Sequence, residues 1–180
     1  MRDAYARTMF SNAAKRLQER AGSRKQYERM VNSRHLEGGL SEFEKEFVEA
    51  RDSFYMATVT PDGWPYIQHR GGPVGFLKVV DGRTLAFADY SGNRQYISAG
   101  NLSGNDRVSL FLMDYPHQAR LKIIGNARAL KPGEDTEIEN RLVKESGARV
   151  EGVIVIDVVG YDWNCSQHIT PRFTKEELVE

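Results

Sequence analysis

FYMATVTPDGWPYIQHR, residues 54–70, carries the reading on which the fold turns. Residues 54–60 are rich in aromatic and β-branched side chains with a period of about two, and a second extended run, residues 65–70, follows Pro61-Asp62-Gly63. Proline and glycine at these spacings mark a tight turn. Two strands joined that closely must run antiparallel, because a parallel pair needs a crossover of a dozen residues or more.

Working outward, the same strand-like pattern recurs in VGFLKVV (74–80), TLAFADY (84–90), RVSLFLMD (107–114), ARLKIIGNARAL (119–130) and GVIVIDVVGYDW (152–163), about seven strands in all. Asp81-Gly82 is a second tight-turn signal and joins the third and fourth strands as a hairpin. Helical patterns between strands are few: one after Asn93, and one around Glu134 to Glu145, where Ile138 and Leu142 share a face and Glu137 can pair with Arg141. Antiparallel strands with only a helix or two inserted predict a mainly β, α+β chain. The sheet closes fully or partly into an antiparallel barrel rather than forming a doubly wound sheet. In 119–130, small residues at Gly125, Ala127 and Ala129 alternate with Asn126 and Arg128, which predicts a barrel wall or subunit contact on one face and polar work on the other.

The first fifty residues read differently. From Arg7 to Met30 the pattern is helix-compatible but interrupted at Ala21-Gly22-Ser23, which predicts two short helices in an extended arm; Gly38-Gly39 then breaks the chain. Ser41-Glu42-Phe43-Glu44 fits a capping box, with the hydroxyl meeting a free backbone amide, and places Phe43, Phe47 and Val48 on one helix face. The expected organisation is a helical arm over 1–50 and a barrel with a C-terminal tail over 51–180.

With 180 residues the chain can bury a continuous core without disulfides, and the single cysteine, Cys165, can form no internal bridge. No secretory signal pattern opens the sequence, and the apolar run 152–161 is too short to span a bilayer and carries Asp157, so a soluble cytoplasmic protein is expected. Asp157 within that strand is expected to face a hydrogen-bond donor. Lys plus Arg and Asp plus Glu each number 25, so net charge gives no reason to expect nucleic acid or membrane as partner. The charge is unevenly placed: residues 1–36 carry nine Lys and Arg against three Asp and Glu, +6, which leaves −6 on the rest. The arm lacks the interleaved aromatics of a single-strand binder and reads as a solvated helix that docks on an acidic body, its own or a partner's.

Two polar stretches could carry chemistry. Arg70 closes its strand and Gly71-Gly72-Pro73 follows, so a guanidinium fork stands where the backbone lets a ligand approach. FADYSGNRQYISAGN (87–101) leads from a strand through Ser91, Gly92, Asn93 and Arg94 into a helix, the ingredients of an anion site. Either stretch alone also fits a polar turn. Placed on neighbouring strands of one hairpin, both could touch one phosphate.

The order of these features from Phe54 to Leu130 resembles the pyridoxamine 5'-phosphate oxidase-like family of FMN-binding split barrels. The resemblance implies that Arg70 and Asn93-Arg94-Gln95 bind the FMN phosphate, that Phe87, Ala88 and Asp89 line the flavin edge, and that Arg120 stands against the flavin pyrimidine. A donor there would stabilise charge on the reduced ring. The tail DWNCSQHITPRF (162–173) is similar to the C-P-Q-H-I ending of one branch of the family. In related dimers this region reaches a flavin pocket between two subunits, which adds Trp163, Gln167, His168 and Arg172 as cofactor contacts and implies a homodimer. The chain departs from the true oxidase, since Arg70 and Lys78 lie eight residues apart and the tail differs. FMN and a small-molecule substrate are therefore implied, but not turnover of vitamin B6 phosphate.

Three function classes stand at this point. One is an FMN-dependent oxidoreductase working between a nicotinamide or other reductant and a small acceptor. Another is a non-catalytic flavin or heme binding module, with His69 or His168 as axial ligand. The third is a thiol hydrolase on Cys165, for which no base or oxyanion site is recognisable. The four histidines, His35, His69, His117 and His168, show no zinc-ligand spacing, so no metal is expected.

Overall fold

A computed structural model describes residues 1–32, 39–142, 144, 147–163, 166–175 and 177–178. Expectations that fall on Gly38, His35, Glu145 and Cys165 lie outside the described residues.

Residues 1–32 form three helices, α1 (Arg2–Met9), α2 (Asn12–Arg20) and α3 (Arg24–Asn32); the expected break at Ala21-Gly22-Ser23 separates α2 from α3. The additional break falls at Ser11, whose extended backbone and side chain cap α2 by accepting from the Ala14 amide at 3.2 Å. Helix α1 docks on the barrel through buried Tyr5 and Ala6, whereas α2 has no fully buried residue. In α4 (Glu42–Glu49) the capping box forms in a variant way. The Glu44 carboxylate accepts from the Ser41 amide at 3.1 Å and also from the Ser41 hydroxyl. Val48 is fully buried and Phe47 half-buried, while Phe43 stays largely exposed.

The strands are β1 (Ser53–Val59), β2 (Pro65–Gly71), β3 (Lys78–Val79), β4 (Thr84–Tyr90), β5 (Arg107–Asp114), β6 (Ala119–Leu130) and β7 (Val150–Trp163). Helix α5 (Ile97–Gly104) follows β4, and α6 (Thr136–Arg141) precedes β7. Arg141 donates to the Val80 carbonyl, which ties α6 to the end of β3. The sheet order is β2-β1-β5-β6-β7-β4-β3, and every described pairing is antiparallel.

Two expectations are corrected here. The run 74–80 is strand only at Lys78–Val79, because Gly75 adopts φ +80° and the Phe76 amide bonds back to the Pro73 carbonyl. This turn is apolar because it is buried: Phe76 and Leu77 point into the core, so composition alone imitates a strand. Strands β2 and β4 are also not neighbours in a hairpin, since β2 pairs with β1 and β4 lies between β7 and β3.

Inside the curled sheet Phe54, Met56, Phe76, Phe87, Leu110, Leu121, Ile123 and Ile154 form one core. A smaller core on the outer face packs Ala86, Ala88, Val153 and Val155 against Ile138 and Leu142 at α6. Strands β4 and β7 are thus covered on both faces, which explains their nearly unbroken apolar sequences. At Gly125 a bulge brings β7 so close that a Cβ would lie 2.6 Å from the Asp157 carbonyl. The Asp157 carboxylate meets Arg128 at 2.8 Å, the donor expected for it. Among the described residues no helix is long and apolar enough to cross a membrane.

Candidate functional site

Strand β2 alternates strictly: Pro65, Ile67 and His69 face outward, while Tyr66, Gln68 and Arg70 are half-buried on the other face. Arg70 therefore points inward, where its Nη1 donates to Asp89 Oδ1 of β4 at 2.6 Å. The guanidinium carbon lies 5.6 Å from the centre of the Phe87 ring, and the buried Nε has no partner among the described residues. An arginine held by one carboxylate and one aromatic face, with donors to spare, is poised for an anion.

The loop after β4 supplies the second side. Arg94 (φ 60°) and Tyr96 (φ 52°) both adopt the left-handed conformation, which non-glycine residues seldom take. Asn93 Oδ1 accepts from the Gln95 amide at 3.1 Å, an Asx turn that helps hold this shape. Tyr96 is the N-cap of α5 and offers no side-chain cap, so the first amides of α5 keep their capacity for a ligand. The helix is pinned by polar bonds: Ser98 Oγ donates to Gln68 Oε1 at 3.1 Å, and buried Asn101 Nδ2 donates to Thr58 Oγ1 at 2.9 Å.

Together these groups enclose a cavity of about 180 Å³ lined by Tyr66, Gln68, Arg70, Asp89, residues 92–96, Ser98 and Glu151. Two arginines oppose two carboxylates in that lining, and Asp89 already engages one edge of Arg70. The cavity thus has strong, directed donors but no large excess of positive charge.

Of the residues singled out in the sequence, Arg70, Asp89, Asn93, Arg94 and Gln95 come together here. Phe87 lies in the core beneath Arg70, and Ala88 faces the opposite side, in the core against α6. Arg120 stands opposite Met113 on β5, outside this lining, with its Nε buried and unpartnered among the described residues. Within its own chain the Trp163 indole donates to Glu44 Oε1 at 2.8 Å and its rings pack on Phe43 and Phe47, clamping α4 to β7. Gln167 and His168 are exposed in the tail, and Arg172 lies over the Tyr115 ring. None of these four tail-side residues lines the Arg70 cavity of its own chain. His69 packs edge-on against Tyr55 on the outer face, away from the cavity. Among the described residues no cluster of His, Cys, Asp or Glu could hold a metal ion.

Sequence reasoning passed over Tyr66, Gln68 and Ser98. The first two were accessible from strand period alone, because they share a face with Arg70. Ser98 was not, since its role depends on how α5 packs.

The family model for pyridoxamine 5'-phosphate oxidase matches residues 40–162. The chain belongs to this family. Its members' split-barrel fold recurs in solved structures of low sequence identity. HupZ from Group A Streptococcus is 14% identical over 74% of this chain and 99% of its own, with a TM-score of 0.53. An FMN-binding protein from Syntrophomonas wolfei subsp. wolfei is 15% identical over 82% and 97%, TM-score 0.53. A Clostridium acetobutylicum protein related to general stress protein 26, of the pyridoxinephosphate oxidase family, is 17% identical over 74% and 92%, TM-score 0.51. No curated protein matches the chain. In this pyridoxamine 5'-phosphate oxidase family member, the Arg70 cavity sits within the matched segment, while the tail from Trp163 onward lies beyond it.

Proposed function

We propose that this protein binds FMN through the Arg70 cavity and transfers hydride or electrons between a nicotinamide or other reductant and a small-molecule acceptor. The observation that carries the reading is the pairing of Arg70 with the Asn93-Arg94-Gln95 loop, left-handed at Arg94 and Tyr96, and the uncapped start of α5. That donor set fits a phosphate monoester: planar guanidinium forks, a side-chain amide and helix-start amides all donate, and Arg70 Nε is a buried donor without a described partner.

Arg70 and Arg94 would bind the phosphate, and Gln68 with Ser98 would hold the cavity wall in register. Asp89 orients the Arg70 guanidinium over Phe87. Bound there, FMN supplies hydride and electron transfer at its ring. The cavity, about 180 Å³, is smaller than the roughly 300 Å³ at the low end of small-molecule pockets, so one chain encloses the phosphate end better than the ring. This supports a homodimer in which a second copy covers the flavin, with the exposed tail residues Gln167 and His168 proposed to reach it.

The decisive measurement is the absorbance of the full chain after gentle purification, with identification of any cofactor released on denaturation. A flavin spectrum, FMN in the supernatant and bleaching by a reduced nicotinamide are the expected results. A colourless protein that takes up no FMN overturns the reading. A heme spectrum overturns it in favour of the heme-binding module, and a flavin that no reductant bleaches limits the protein to binding.

A further inference from the structure

A second cavity, about 520 Å³, lies under the C-terminal tail between the start of β1, the β5–β6 turn and the tail residues Arg172, Phe173, Thr174 and Glu177. Its volume falls within the range of about 300 to 1,000 Å³ typical of small-molecule sites. Tyr55, Tyr115 and Phe173 give it aromatic walls. The tail is anchored beside it by buried Ile169, whose carbonyl accepts from Gln118 Nε2 at 2.6 Å.

The polar groups around this cavity divide into engaged and unengaged. Asp114 accepts from Arg51 Nη2 at 3.0 Å and from the His117 amide at 3.1 Å, and lies 2.9 Å from His117 Nδ1. Arg51 completes its bonding at the Phe47 and Met113 carbonyls. Asp52 accepts from the Ser53 hydroxyl at 2.8 Å, and Glu177 from the Thr174 amide at 2.7 Å. Arg172 is different. Its guanidinium carbon lies 4.9 Å from the Tyr115 ring centre, and no described carboxylate pairs with it. His117, its Nδ1 turned to Asp114, keeps Nε2 for another partner on a ring that is 80% exposed.

We propose that this cavity is a ligand site for a small planar acid, an aromatic ring bearing one carboxylate. Of the two guanidiniums in the lining, Arg51 is paired with Asp114, whereas Arg172 has no described carboxylate and can take a ligand carboxylate on its fork in two parallel hydrogen bonds; Asp52 and Glu177, held only by neutral donors, set a limit of one negative charge on that ligand. Stacking on Tyr115 restrains that fork before the ligand arrives, which lowers the ordering cost of binding. The aromatic walls take the ring, and His117 Nε2 adds one directional bond. The inference uses none of the residues that line the Arg70 cavity, although the family resemblance also offers Arg172 to the flavin of a second subunit.

The test is titration of the full chain with benzoate, followed by NMR, with cyclohexanecarboxylate and benzyl alcohol as comparison probes. Saturable benzoate binding is expected, with shifts at Tyr115 and His117, and binding about tenfold weaker for each comparison probe. Arg172→Gln should weaken benzoate about tenfold or more, the scale of a lost charge-assisted pair, and Arg172→Lys should restore only part of it. Arg128→Gln, at an exposed ion pair on β6, should change nothing. Non-saturating benzoate shifts, equal affinity in Arg172→Gln with the fold intact by circular dichroism, or equal binding of benzyl alcohol would each overturn the proposal. FMN content of each variant is measured alongside: loss of benzoate binding with FMN retained is the expected result, and loss of FMN together with benzoate would overturn the separate site.

Discussion

Arg70 Nη1 and Asp89 Oδ1 meet at 2.6 Å although β2 ends the sheet order on one side and β4 is next to last on the other. No hydrogen-bonded ladder joins these two strands. The curl of the sheet brings them face to face, and the ion pair spans the split in the barrel at the mouth of the proposed phosphate cavity.

Because Asp89 occupies one edge of the guanidinium that a phosphate would use, its charge opposes an incoming dianion. Asp89→Asn is expected to tighten FMN binding several-fold, while Arg70→Ala and Arg94→Ala each weaken it by about 1–3 kcal/mol. Flavin fluorescence titration measures all three. Weaker binding in Asp89→Asn would mean that holding Arg70 in place outweighs the repulsion.

Trp163 is expected to matter for stability. Trp163→Phe keeps an aromatic ring against Phe43 and Phe47 but removes the indole donor to Glu44, a buried carboxylate. Urea unfolding should show a loss of about 1–3 kcal/mol, the cost of leaving a buried acceptor short of a donor. An unchanged midpoint would show that water replaces the indole.

Acid should destabilise the fold through two carboxylates. Burial pushes Glu44 up, but the Ser41 hydroxyl, the Trp163 indole, the Ser41 amide and Tyr161 outweigh it and hold its pKa below the ordinary glutamate value. Burial likewise raises Asp114, and the His117 amide and ring together with the Arg51 charge bring it below the usual aspartate value. A pKa depressed in the folded state means that the unfolded chain binds protons first on acidification. The stabilisation is therefore complete above the ordinary carboxylate range, about pH 4, and is lost as pH falls through the lower folded values. Unfolding midpoints measured from neutral pH downward should drop across that window, and less steeply in Glu44→Gln. A midpoint flat to pH 3 would contradict the assignment.

Gly160 allows α1 to dock. A Cβ there would lie 2.5 Å from the Tyr5 amide nitrogen and 2.9 Å from the Met1 carbonyl, both backbone atoms that cannot rotate away. Gly160→Ala is expected to cost about 1–3 kcal/mol and to expose the arm to protease before the barrel. Loss of the barrel and the arm together would show that α1 is integral to the core.

Much of the strand layout was legible because a half-buried strand writes its burial into alternate residues, as Tyr66, Gln68 and Arg70 do on β2. Residues that line the Arg70 cavity were legible for a related reason: glycine, asparagine and arginine at a strand end set backbone shape and charge, which are local properties. Residues 74–77 misled because a buried turn and a buried strand have the same apolar composition, and only the backbone at Gly75 distinguishes them. Trp163 was read through its tail neighbours, and nothing near it in sequence announces that Glu44, 119 residues earlier, accepts its indole proton.

By itself, then, the sequence determined the antiparallel strands, the tight turns between them, the capped start of α4 and the two stretches that line the Arg70 cavity, since each depends on residues within a few positions of one another. Tertiary structure alone decided that β2 and β4 meet across the split rather than along a ladder, that Asp89 shares Arg70 with any ligand, and that Arg172 and His117 border one cavity. Those relationships depend on how far the sheet twists and curls before it closes, a property of all the strands packing at once that no single stretch encodes.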